Sequence, residues 1–152
     1  MPRRDVHVRV GLVVGVATAG YLLRGNTPEN NPISPAALAG AFMGAYFGAV
    51  LPDVLDPPHS PGHRSVAHAV VPVVGVLVQA NWTARCRQLQ ADADQYRCQG
   101  SAIGLSDLDR ERCLRNEALC RFAAAALAAF IGSYLSHLAL DGQTPKGLPL
   151  LA

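Results

Sequence analysis

His137 and Asp141 stand four residues apart in "GSYLSHLALDGQTPKG", so on a helix both project from one face, one turn apart. An imidazole nitrogen beside a carboxylate oxygen is a donor pair that zinc and similar divalent ions accept. A second concentration of such groups fills "LPDVLDPPHSPGHRSVAHA", residues 51–69, where Asp53, Asp56, His59, His63, Arg64 and His68 lie among four prolines and a glycine. The prolines stiffen this connection and lower the entropy cost of holding ligands still. His7 adds one more imidazole near the N-terminus. The chemistry that suits these types is metal-assisted hydrolysis, with His and Asp holding an ion and an arginine holding an anionic group. His59, set between prolines, is read as exposed and outside the site.

These residues need helices to bring them together. Four apolar runs stand out, at 8–23, 35–51, 66–81 and 118–140. Ser34 and Pro35 form a strong start signal for the second, an N-cap followed by proline at the first helical position. Gly40, Gly44 and Gly48 then recur every four residues, a stripe of small side chains that lets another helix approach closely, as helix pairs do inside membranes. Ser106 with Asp109 makes a capping-box-like start for the last helix, and Gly142 stands where its C-terminal cap belongs. Between the third and fourth runs, residues 83–117 are polar and mixed in charge. There "TARCRQLQADADQYRCQG" reads as a solvated helix and "SAIGLS" as a turn. A spanning helix needs about 20 apolar residues, so the first and third runs span only with their ends in the headgroup region or by thinning the bilayer.

The expected fold is all-α: a single domain over 1–152, an up-and-down bundle of four apolar, membrane-embedded helices, with 83–117 as a polar helical insertion between the third and fourth. Its localisation is then an integral, multi-pass one, in the cytoplasmic membrane if the source is bacterial, with membrane lipids as its surroundings. Composition agrees, since 50% of residues are hydrophobic but only 6% aromatic and 16% charged, which favours closely packed helices with small contacts. A net charge of +2, with no basic block, gives no reason to expect nucleic acid. The start "MPRRDVHVRVGLVVGVATAGYLLRG" is read as a retained first helix, because Arg9 interrupts the passage into the apolar run. None of Cys86, Cys98, Cys113 and Cys120 forms a C-x-x-C pair, which argues against a thiolate zinc site. They read as free thiols, or as a disulfide within the polar segment if it faces an oxidising compartment.

An alternating topology has a consequence for the site. Helices one and three start at the end of the bundle where helices two and four finish. His7, the pair Asp53 and Asp56, the group His63, Arg64 and His68, and the pair His137 and Asp141 therefore all fall at one end. The polar segment falls at the other and is expected to take no part in chemistry.

The residues so assembled resemble the YdjM-like family of membrane-bound metal-dependent hydrolases. "VHVRVG" is similar to the family's N-terminal His followed four residues later by Gly. "GAVLPDVLDPPHSPGHRSVAHA" resembles its Leu-Pro-Asp block followed by His-Arg and a second His, and "GSYLSHLALDGQTPKGLPLL" its His-x-x-x-Asp-x-x-Thr-Pro-x-Gly block. The family in turn looks distantly similar to zinc-dependent phospholipases C and single-strand nucleases, helical proteins with zinc ions held by His and Asp. The resemblance implies that His7, Asp53, His68, His137 and Asp141 are ligands of one or two divalent ions, zinc first, with Asp53 as the bridging carboxylate. Asp53 and Asp56 are three apart where the family's commonest pattern is Asp-x-Asp, and "VAHAV" lacks the usual hydroxyl beside the second His. Residues 83–117 match no block of the family.

The function expected on these grounds is hydrolysis of a phosphoester, such as a lipid headgroup at the membrane surface, by metal-activated water. Arg64 would hold the anion, and Asp56 or His63 would orient groups or act as general base. The rival is a non-catalytic membrane scaffold in which the ion pins helix ends together. A transporter would need polar residues partway along the helices, and the first three apolar runs carry almost none.

Overall fold

The computed structural model describes residues 4–24, 34–55 and 81–142. These form four helices: α1 (Arg4–Arg24), α2 (Pro35–Leu55), α3 (Trp82–Gly100) and α4 (Asp107–Gly142). The apolar run 66–81, apart from its last residue, lies outside the described residues, as do Asp56, His59, His63, Arg64 and His68. Of the described helices, α1, α2 and α4 are long and apolar enough to cross a membrane. The first two are each 21 residues long, longer than their apolar runs alone indicate. The extension arises because each helix continues through its polar end, α1 through Asp5 and His7 and α2 through Asp53.

Local capping sets the ends. The Ala37 amide donates to Ser34 Oγ at 3.1 Å, satisfying one of the orphan donors of the first turn of α2. Ser106 does the same for the Asp109 amide at 3.2 Å, and its hydroxyl donates to the Asp109 carboxylate at 2.6 Å. At the other end of α2 the structure corrects one expectation. Pro52 and Asp53 lie inside the last turn of the helix, not in a turn beyond it. Proline there removes only the N–H that would bond the Gly48 carbonyl, a small loss so near a helix end.

The small residues decide the packing. A Cβ added to Gly40, Gly44 or Gly48 would run into the backbone carbonyl of Phe122, Ala126 or Phe130 respectively. Each glycine thus opposes the residue 82 positions later, and a constant offset means that α2 and α4 run parallel. On α1 the sense reverses, since Gly11 opposes Ala49 while Gly15 opposes Ala45. The core is built from alanine, with Ala45, Ala124, Ala128 and Ala129 wholly buried. Close backbone approach replaces large interlocking side chains as the source of dispersion contact. Large apolar side chains point outward instead, including Val13, Tyr21, Phe42 and Phe47, each more than half exposed. That outward apolar surface suits lipid.

Helix α3 is polar and packs on the N-terminal half of α4. Arg121, 6% exposed, joins them. Its guanidinium donates to Glu117 at 2.9 Å, to Asp94 at 3.0 Å and to Gln90 at 3.3 Å. By sequence Arg121 is one arginine among several mixed with acids, and only the docking of α3 singles it out. The four cysteines are free, Cys86 buried and Cys98 exposed.

Candidate metal centre

The antiparallel setting of α1 against α2 and α4 puts the start of α1 beside the ends of the other two. His7, Asp53, His137 and Asp141 meet there. The centroids of the His7 and His137 rings are 4.2 Å apart. His7 Nε2 lies 3.8 Å from Asp141 Oδ1, and His137 Nε2 lies 3.5 Å from Asp141 Oδ2 and 3.6 Å from Asp53 Oδ1. One donor atom each from His7, His137 and Asp141 falls within 4.8 Å of the others. His7, His137 and Asp141 are buried, whereas the side chain of Asp53 keeps 21% of its surface exposed. His137 has the largest wholly buried side chain among the described residues.

The orientation of the His137 ring is fixed from behind. Its Nδ1 lies 2.7 Å from the carbonyl oxygen of Ala49 on α2. A carbonyl oxygen only accepts, so Nδ1 carries hydrogen and donates. In the neutral ring the remaining lone pair is then on Nε2, which faces two carboxylates that also only accept. A positive charge between them, a proton on Nε2 or a bound metal ion, satisfies all three. The separations of 3.5 and 3.6 Å exceed an ordinary N–H···O bond. They are close to the spacing of about 3.4 Å between neighbouring donors around a tetrahedral zinc ion. A backbone carbonyl behind a histidine is also the usual way a ligand's ring is oriented. The donor set fits a divalent ion.

Two further residues seat the cluster. A Cβ on Gly11, one turn after His7, would lie 2.5 Å from Ser133 Oγ and 2.7 Å from the Ala49 Cβ, so glycine alone lets α1 lie against both. Ser133, one turn before His137, donates its hydroxyl to the Ala45 carbonyl at 2.6 Å. Sequence reasoning missed Ser133 and the Ala49 carbonyl. The spacing of Ser133 and His137 put both on one face, but nothing in the chain marks which carbonyl they meet.

The YdjM inner membrane protein family model matches residues 1–152. The chain belongs to the YdjM inner membrane protein family. No curated protein and no solved structure matches it. Membership agrees with the three helices able to cross a membrane and with their outward apolar side chains. For a YdjM family chain, a buried His and Asp cluster at the end of apolar helices is costly to keep, and such groups are usually functional.

Proposed function

We propose that this end of the bundle is a divalent metal site, zinc first, in a membrane-associated hydrolase that acts on phosphoesters. The observation that carries the reading is His137 Nε2 turned toward Asp53 and Asp141 while Nδ1 is held by Ala49. A bound ion of this kind supplies Lewis acidity and a water of lowered pKa. The residues of the chain divide the remaining work. His7, His137 and Asp141 form the buried floor, and Asp53 forms the accessible rim where a substrate would approach. His68 adds a ligand from the proline-rich connection. Arg64 holds the anionic group bidentately, and Asp56 or His63 orients it or accepts a proton.

A second reading is favoured by the burial of three of the donors: the ion pins the ends of α1, α2 and α4 and has no chemical role. The two readings separate in detergent-purified protein supplied with zinc or manganese. In a hydrolase, Arg64→Gln leaves bound metal unchanged but lowers turnover of phosphodiesters or phosphomonoesters. If metal-loaded protein shows no chelator-sensitive hydrolysis across a broad ester panel, the catalytic reading fails and the pinning role stands.

A further inference from the structure

The three helices that supply the metal centre meet in layers, one turn apart. His7, Asp53 and His137 stand in the layer of ligands. One turn inward on each helix come Gly11, Ala49 and Ser133, and these touch, since a Cβ on Gly11 would run into Ser133 Oγ and the Ala49 Cβ. A turn further in are Gly15, Ala45 and Ala129, where a Cβ on Gly15 would run into the Ala45 Cβ and the Ala129 carbonyl. The ligands therefore take their heights from the two layers beneath them.

Those two layers are glycine and alanine apart from Ser133. Short side chains do not interlock, so dispersion contact changes little as one such helix slides along another. A hydrogen bond is directional and resists the slide. Ser133 Oγ donates to the Ala45 carbonyl at 2.6 Å, and His137 Nδ1 donates to the Ala49 carbonyl at 2.7 Å. Both bonds join residues 88 positions apart, so they mark one register of α4 against α2, repeated a turn later. His137 cannot hold that register alone, because its ring must also follow the ion. The Ser133 hydroxyl, buried one turn away, is under no such demand. Sliding α4 along α2 would part His137 from Asp53 but would leave Asp141 in place, on the same helix as His137.

We propose that Ser133 is a positioning residue of the metal centre. By holding α4 at one height against α2, it keeps the His137 imidazole and the Asp53 carboxylate at the spacing of a tetrahedral zinc ion. It thereby sets a preference for zinc over manganese, an ion that carboxylates and water suffice to hold. The inference rests on the metal reading above, and it is the same whether the ion is catalytic or pins the helices.

Zinc and manganese affinities of the detergent-held full chain, with the visible spectrum of its cobalt form, test it. Ser133→Ala introduces the residue type that already fills this core, and the Ala45 carbonyl keeps the in-helix amide of Ala49. The metal-free variant therefore folds, which its thermal melting checks. Zinc binds about tenfold more weakly, manganese is unchanged, and the strong absorption of tetrahedral cobalt fades. Ser136→Ala is the control, since that hydroxyl donates to the Ser133 carbonyl of its own helix at 2.7 Å, and it alters none of these readings. An unchanged ratio of zinc to manganese affinity in Ser133→Ala, whatever its melting temperature, makes the serine merely structural and overturns the proposal. An equal loss in Ser136→Ala overturns it too. If the original chain takes up neither ion, the metal reading itself fails and carries this inference with it.

Discussion

The Nδ1 of His137 donates to the Ala49 carbonyl across 2.7 Å, joining residues 88 positions apart in the chain. That contact turns Nε2 toward Asp53 and Asp141 and makes an imidazole in an alanine core into a candidate ligand. It also ties the ring's orientation to the register of α2 against α4, which the glycine stripe sets. Four expected outcomes follow from these contacts.

His137→Ala should abolish stoichiometric metal uptake, and Asp53→Asn should weaken it about tenfold or more. Metal analysis of purified protein reads both. Chelator should lower the melting temperature of the original chain, because an ion bound only by the folded state stabilises it. It should leave His137→Ala unmoved. Equal metal content in all three proteins would show that the cluster holds no ion.

Gly44→Ala places a methyl group against the Ala126 backbone, which cannot yield as a flexible side chain does. We expect a loss of about 1–3 kcal/mol in denaturant unfolding, the usual cost of overpacking. Gly20→Ala is the control, for a Cβ there meets nothing within 4 Å. Its expected effect is a gain of up to about 1 kcal/mol from helix propensity.

Arg121→Ala leaves Glu117, Asp94 and Gln90 without their shared donor. The expected loss is about 2–3 kcal/mol, below the usual cost of breaking a buried pair because Asp94 is 42% exposed. Arg121→Met, which keeps the packing volume, should lose less. Faster hydrogen exchange confined to α3 would identify the damage as undocking of that helix.

Burial pushes the Cys86 thiol above its ordinary value of 9.0. At pH 8 it therefore holds less thiolate than an ordinary cysteine, and maleimide should modify it far more slowly than the exposed Cys98. The neutral thiol contributes its stability fully below pH 9.0 and loses it as pH rises through the higher folded value. Peptide mass mapping after brief labelling checks the order, and rapid labelling of Cys86 would show that α3 does not pack on α4.

The helix signals were legible because they are local. Ser34, Pro35, Ser106 and Asp109 act on backbone groups within a few residues, so their roles can be read from the chain alone. Apolar run lengths were less reliable. The ends of α1 and α2 carry His7 and Asp53, polar residues that a hydropathy count excludes but that the helix includes.

The meeting of His7, Asp53, His137 and Asp141 at one end needed only alternating helix direction, and the sequence by itself determined that much. It also determined, through Gly40, Gly44 and Gly48, that α2 would press its backbone against a neighbour. Which neighbour, and at which offset, belonged to the tertiary structure, as did the carbonyl that holds His137 and the Asp94 carboxylate that reaches Arg121 from α3. Those partners lie 27 to 88 residues apart. Their pairing follows from how whole helices seat against one another, and no local preference of the chain records it.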